Sequence, residues 1–170
     1  WNLNPLNNDT WSFYYNGLNW LYSHLWGIDV KGHSPERMFD IITQYNEHIN
    51  SDSPNKMAWF DHATSDRLSI FTVISLHPCM KMATTHFQSM IQELIVRHVD
   101  KIIQFKESEN WMDSNHGVFH ALALMNASNL DFLKESRPST EQDGISYLSD
   151  TLLNILSLKE HFSLEQSAYY

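Results

Sequence analysis

The sequence predicts an all-α protein. Apolar and aromatic residues recur at spacings of three and four along most of the chain, as they do on one face of an α-helix. The chain has only five Gly and five Pro, so residues that break helices are scarce. No five-residue stretch alternates cleanly between apolar and polar side chains, which is the pattern of a half-buried strand. The length of 170 residues suits a single helical domain over 1–170 with a sizeable core.

Start signals and apolar stripes place the first three helices. A stripe runs from Trp11 to Tyr22 after the start signal Asn-Asp-Thr. A second helix begins with Ser34 as N-cap and Pro35 in the first helical position. Its apolar stripe consists of Met38, Ile41, Ile42, Tyr45 and Ile49. A third helix is predicted over residues 65–76, since a proline at position 78 stops it.

The second half of the chain adds longer helices. The longest stripe runs from Phe87 to Phe105, and another helix follows Asn115. The last predicted stripe consists of Ile145, Leu148, Leu152, Ile155 and Leu156. These patterns give about six or seven helices joined by short loops. Antiparallel helix pairs of this kind form a bundle, a solenoid or part of an α/α toroid, and periodicity does not separate the three.

Charge and composition exclude several classes of partner. Twenty acidic and 11 basic residues give a net charge of −9, which argues against nucleic acid because phosphate contacts need clustered Lys and Arg. No run of about 18 apolar residues occurs, so no membrane span is predicted. No signal peptide is visible. The single cysteine, Cys79, excludes an intrachain disulfide framework.

The tripeptide Asn115-His116-Gly117 combines an amide, an imidazole and a flexible glycine where a helix begins. In β-elimination from a uronate, an amide such as Asn115 neutralises the sugar carboxylate and a base such as His116 removes the weakly acidic C5 proton. A tyrosine hydroxyl can protonate the departing O4, or act as the base if its pKa is lowered, and the sequence closes on Tyr169 and Tyr170. Gly117 lets substrate or backbone come close. The alternative is structural, because asparagine is also a preferred helix N-cap.

Two further patterns have both structural and functional interpretations. His116 and His120 form an H-x3-H pair that can bind metal from one helical face, but no third ligand is signalled nearby, so we predict no metal site. Arg67 and His62 lie close enough on one helix to face a groove and bind a substrate carboxylate. The alternative for Arg67 is an interhelical salt bridge to an acidic neighbour. Trp59 either stacks on sugar or packs in the core, and packing is favoured.

Four short blocks span nearly the whole chain in order. They read NNDTWSF and LNWL at 7–13 and 18–21, WFDHATSDRL at 59–68, NHG at 115–117, and EQSAYY at 165–170. Together they resemble the N-terminal helical domain of the heparinase II/III-like polysaccharide lyases, whose relatives include exolytic alginate lyases. The resemblance implies part of an α/α toroid, left incomplete in this segment. It also implies further helical and β-sandwich domains of the same protein beyond the segment.

The resemblance also implies roles for particular residues. Asn115, His116 and Tyr170 would be catalytic. The substrate-binding residues would be Trp59, His62, Arg67, Glu165 and Tyr169. Tyr169 would replace Tyr170 as the acid if the register slips by one. No cofactor and no metal are expected within this segment.

The first functional hypothesis is therefore a lyase domain that cleaves a uronate-containing anionic polysaccharide or oligosaccharide. A bacterial periplasmic or secreted location follows by family analogy alone. The alternative is a non-catalytic helical module that binds a glycan or a protein through its aromatic surface. The two differ in whether Asn115, His116 and Tyr170 converge on one open groove.

Overall fold

The computed structural model describes residues 1, 5, 7–106 and 115–157, with side chains up to residue 154. Eight α-helices and no strand occur within these ranges, which confirms the all-α prediction. The helices are α1 (Asp9–Gly17), α2 (Leu21–Lys31), α3 (Glu36–Ile49), α4 (Asp61–Leu76), α5 (Thr85–Phe105), α6 (His116–Ala127), α7 (Asp131–Ser136) and α8 (Thr140–Ser157). A short 3-10 helix, Pro78–Met82, joins α4 to α5. None of these helices is long and apolar enough to cross a membrane.

Helix α4 is the centre of the fold. It packs against α1, α5 and α6, and α8 packs along the side of α6. The predicted stripe of α3 is buried in full, and so is the stripe of α5 from Phe87 to Ile102. These faces join α4 and α6 in one hydrophobic core. Helix α4 therefore fixes where the first turn of α6 lies.

The first predicted helix is interrupted. Leu18 adopts a left-handed conformation with φ of 62° and ends α1, so Trp11 and Tyr22 belong to two different helices. Leu18 is fully buried, and the Asn16 carbonyl beside it accepts a hydrogen bond from Arg67 Nη1 at 2.9 Å. Burial and this hydrogen bond hold a backbone conformation that leucine rarely adopts. Helix α4 also differs from the prediction, because it begins at Asp61 and not at residue 65.

The buried face of α8 differs from the predicted stripe. Ile145 and Leu152 are 43% and 44% exposed, whereas Gly144, Tyr147 and Thr151 are buried. Leu148 of the predicted stripe is partly buried against the core, and the side chains of Ile155 and Leu156 lie outside the described residues. The Tyr147 hydroxyl donates to the Ile102 carbonyl at 2.6 Å. This face is buried because glycines let α6 and α8 approach closely, so small and polar residues replace the apolar stripe at the contact.

Gly117 is one of these close-contact glycines. A Cβ atom at this position would overlap Thr151 Oγ1 and lie 3.1 Å from Thr151 Cγ2. The group that approaches Gly117 closely is thus a side chain of α8, whereas the prediction was substrate or backbone. The contact explains why a glycine sits in the first turn of α6, where alanine would favour the helix more.

Replacing Gly117 with alanine is expected to destabilise the fold by about 1–3 kcal/mol, because the new methyl group forces α6 and α8 apart. Urea unfolding followed by circular dichroism measures the change. Adding Thr151→Ala should recover part of the loss, since it removes the overlapping hydroxyl, which has no hydrogen-bond partner among the described residues. Gly27→Ala in α2 is the matched control, because its nearest neighbour is the exposed His33 ring, which can turn away. Equal effects at the two glycines would contradict the overlap.

Candidate functional site

The first turns of α4 and α6 bring Asp61 and His116 together. His116 Nδ1 lies 2.8 Å from Asp61 Oδ2, and the two side chains are about one quarter exposed, at 23% and 25%. The other carboxylate oxygen, Asp61 Oδ1, accepts the backbone N–H of His62 at 2.7 Å. Asp61 is thus fixed by its own helix while it contacts His116 on another helix.

The ionisation of Asp61 determines which ring nitrogen of His116 carries the proton. Burial alone would raise the pKa of Asp61, but hydrogen bonds from His116 and the His62 N–H, with the charge of His116, outweigh it and lower the pKa. An ionised carboxylate only accepts hydrogen bonds, so His116 Nδ1 is the donor. The neutral ring then carries its lone pair on Nε2. An imidazole that a carboxylate holds in this tautomer is arranged to act as a general base.

Asn115 immediately precedes α6. Its side chain is half-buried and makes no capping hydrogen bond, so the purely structural N-cap interpretation does not hold. The N-terminus of α6 adds the backbone N–H groups of its first turn and the partial positive charge of a helix N-terminus. This end of the helix can therefore attract a carboxylate next to the Asp61–His116 pair.

His62 packs behind His116. Its ring centroid lies 5.0 Å from that of His116 and stacks at 4.3 Å on Phe119. Only 6% of His62 is exposed. Burial, together with the charge of His116, lowers the pKa of His62 to about 4 against the attraction of Asp61. The predicted substrate-binding role does not fit a side chain this buried, and His62 serves as an uncharged wall for the His116 ring.

Asp66 lies one helical turn beyond His62, with a carboxylate oxygen 3.9 Å from His62 Nε2. Burial raises the pKa of Asp66 to about 6, against a hydrogen bond with Asn19 and the charge of Arg67. The shifts at His62 and Asp66 both favour the uncharged forms, so the two side chains do not form an ion pair despite their proximity. A carboxyl group with this pKa can hold or release a proton near neutral pH.

Arg67 does not reach the site. The side chain is fully buried and donates to His98 Nε2 at 3.0 Å, to Thr64 Oγ1 at 3.1 Å, and to the carbonyls of Asn16 and Ala58. Its predicted role in binding a substrate carboxylate is wrong, because no surface remains for a ligand. Among the described residues, no carboxylate forms a hydrogen bond or salt bridge with the Arg67 guanidinium. The salt-bridge alternative is therefore wrong as well. Arg67 ties α4 to α1, α5 and the preceding loop.

Trp59 packs against the same cluster. Its ring lies 5.1 Å from the His98 ring, with the guanidinium carbons of Arg97 and Arg67 at 5.4 Å and 5.9 Å from its centroid. These contacts agree with the packing interpretation of Trp59.

The H-x3-H pair does not form a metal site. His120 is fully buried against Phe105 and Tyr147, whereas His116 is engaged by Asp61. Burial lowers the pKa of His120 to about 4, against the attraction of Asp61. Within the described residues, no group of three or more His, Cys, Asp or Glu side chains is placed to hold a metal ion.

Three predicted site residues lie outside the described residues. They are Glu165, Tyr169 and Tyr170. The convergence of Tyr170 with Asn115 and His116 therefore stays a prediction, whereas Asn115 and His116 are adjacent at one helix end. The sequence interpretation missed Asp61. The available signal was its place as the third residue of the WFDHATSDRL block, next to His62.

A second group of catalytic residue types occurs at the 3-10 helix. His77 Nε2 lies 2.9 Å from Asp29, and His77 Nδ1 accepts the backbone N–H of Cys79 at 3.1 Å. Both ring nitrogens of His77 therefore contact groups other than the Cys79 thiol. Cys79 is buried, and burial raises the pKa of its thiol. The arrangement caps a helix and does not activate a nucleophile.

Comparisons with known proteins do not assign the chain to a family, since no family model, no curated protein and no solved structure matches it. The site geometry must therefore carry the functional conclusion.

Proposed function

We propose that this chain is the helical domain of a polysaccharide lyase that cleaves a uronate-containing glycan by β-elimination. The observation that carries the proposal is the hydrogen bond between His116 Nδ1 and the Asp61 carboxylate, beside Asn115 at the start of α6. It supplies an oriented base next to an amide and a helix N-terminus. β-Elimination from a uronate needs these groups.

The proposed reaction assigns one task to each group. The Asn115 amide and the N-terminal N–H groups of α6 donate to the sugar carboxylate, so the negative charge that develops there is stabilised. His116 Nε2 takes the C5 proton, and the electron pair of the broken C–H bond moves toward the carboxylate. That pair then forms the C4–C5 double bond as the C4–O4 bond breaks. A phenol, assigned to Tyr170 by the family resemblance alone, returns a proton to the departing O4.

Asp61 acts through His116. Its carboxylate keeps the proton on Nδ1 and stabilises the imidazolium that forms when Nε2 accepts the substrate proton. His62 and Phe119 pack against the ring and restrict its rotation. Asp61 is therefore a positioning residue, and His116 is the catalytic one.

The architecture proposed for the described helices is part of an α/α toroid. The all-helical core supports it, and the family resemblance motivates it. Further helical and β-sandwich domains of the same protein would complete the substrate cleft. The proposed location, periplasmic or secreted in a bacterium, also rests on the resemblance.

Elimination leaves an unsaturated uronate that absorbs in the ultraviolet, so a direct assay tests the proposal. The chain, and any longer natural chain that contains it, is incubated with alginate, heparin-type polysaccharides and their carboxyl-reduced forms. We expect absorbance to rise with a carboxylated glycan only, because the carboxylate is the electron sink. A rise with the carboxyl-reduced form, or none with any uronate glycan, would refute the proposed reaction.

A further inference from the structure

A groove of about 410 Å³ lies against α1, α2 and α3 and shares no lining residue with the candidate site. Its volume falls within the range of about 300–1,000 Å³ that is usual for small-ligand sites. Its walls combine aromatic rings with polar side chains. The lining residues used below are Trp1, Tyr15, Trp20, His24, Arg37 and Gln44.

The aromatic wall is fixed in place. The rings of Tyr15 and Trp20 are nearly parallel, with centroids 6.3 Å apart, and Trp20 Nε1 donates to the Tyr15 carbonyl at 3.1 Å. The Trp1 ring lies 5.2 Å from Tyr15. All three residues are half-buried, so each keeps part of its surface accessible. Rigid rings with an accessible surface can stack on the apolar face of a sugar without a large loss of conformational entropy.

Arg37 provides a positive charge at the same groove. It is exposed and makes no hydrogen bond or ion pair with any described residue. The other arginines are engaged: Arg67 in the core, Arg97 with Asn50, and Arg137 with both carboxylate oxygens of Asp100. An unpaired guanidinium beside aromatic rings is suited to a planar carboxylate, which it can bind with two parallel hydrogen bonds.

We propose that this groove binds an acidic sugar, a hexuronate unit of a glycan. The rings of Trp20 and Trp1 stack on the sugar, Arg37 binds its carboxylate, and Gln44 and His24 hydrogen-bond to its hydroxyls. The net charge of −9 repels acidic glycans and nucleic acid alike at long range, so recognition of an acidic sugar depends on these local contacts. The groove stands apart from the proposed reaction and binds sugar whether or not His116 is catalytic.

Titration calorimetry with an alginate trisaccharide and its carboxyl-reduced form tests the groove. Arg37→Gln is expected to weaken binding of the acidic trisaccharide at least about tenfold, because glutamine lacks the charge and keeps at most one of the two hydrogen bonds. Binding of the carboxyl-reduced form should not change. Trp20→Ala should weaken binding of both forms about tenfold. Because Arg37 is exposed, its substitution tests the proposal even if Trp20→Ala impairs folding.

Lys31→Gln is the matched control. Lys31 Nζ lies 5.1 Å from the ring of Trp26 on α2. This pair of a cation and an aromatic ring lies on the surface outside the groove, so the loss of the Lys31 charge should leave binding unchanged. Equal affinity of wild type and Arg37→Gln for the acidic trisaccharide would overturn the proposal, as would tighter binding of a single-stranded polyuridylate. Binding that is lost in His116→Ala but kept in Arg37→Gln would place the sugar at the other site and would also overturn it. Binding that depends on Arg37 without lyase activity would uphold the groove and reject the proposed reaction.

Discussion

Replacing His116 with alanine is expected to lower the rate of elimination by about 10²–10⁴-fold, the range for removal of a general base. The neighbouring imidazole of His62 offers no replacement, because its pKa lies at about 4 and the ring is buried. Initial rates of ultraviolet absorbance increase on a uronate glycan measure the effect.

Asp61→Asn separates positioning from proton transfer. The amide no longer requires a proton on His116 Nδ1, so part of the population adopts the wrong tautomer, and the developing imidazolium loses its counter-charge. We expect a large fall in kcat with little change in KM, since Asp61 is not assigned a contact with substrate.

His86→Ala is the control for His116→Ala. It removes an exposed histidine of α5 and should leave the rate unchanged. A residual rate in His116→Ala equal to that of His86→Ala would contradict the base assignment.

Replacing Arg67 with methionine is expected to lower the free energy of unfolding by about 3–5 kcal/mol. The substitution fills part of the volume but leaves His98 Nε2 and the carbonyls of Asn16 and Ala58 without their donor. The left-handed turn at Leu18 also loses the hydrogen bond from Arg67 to the Asn16 carbonyl, two residues before it. Urea unfolding followed by circular dichroism gives the difference.

Arg97→Met is the matched control for Arg67. Its guanidinium also lies over the Trp59 ring, but its hydrogen bond to Asn50 is exposed to solvent. We expect its loss to cost less than about 1 kcal/mol. Arg67→Lys retains a charge but lacks the planar set of donors, so most of the loss should remain. A cost at Arg67 no greater than that at Arg97 would show that the buried hydrogen bonds contribute nothing.

The helices were predictable where the buried face is apolar. The stripe of α3 and that of α5 from Phe87 to Ile102 repeat at helical spacing and are buried as predicted. The prediction failed at α8, because Gly144 and Thr151 pack there and carry no hydrophobic signal. It also failed at Leu18, where a tertiary hydrogen bond from Arg67 favours a break that the apolar periodicity hides.

The candidate site was predictable only in part. Asn115 and His116 are neighbours in sequence, so their combination is visible without a structure. Asp61 lies 55 residues before His116, and only the packing of α4 on α6 brings its carboxylate to the imidazole. Arg67 was misassigned for a related reason. Its sequence neighbours His62 and Asp66 suggest a polar groove, whereas its actual partners come from α1, α5 and the loop before α4.

Mass analysis of the products formed in heavy-oxygen water tests the proposed reaction most directly. Elimination breaks the C4–O4 bond without adding water, so we predict products that contain an unsaturated uronate and no heavy oxygen from cleavage. The same products should be nearly absent with His116→Ala. Hydrolysis would add one heavy oxygen for each bond cleaved and give no unsaturated sugar, and that result would contradict a lyase based on Asp61, Asn115 and His116.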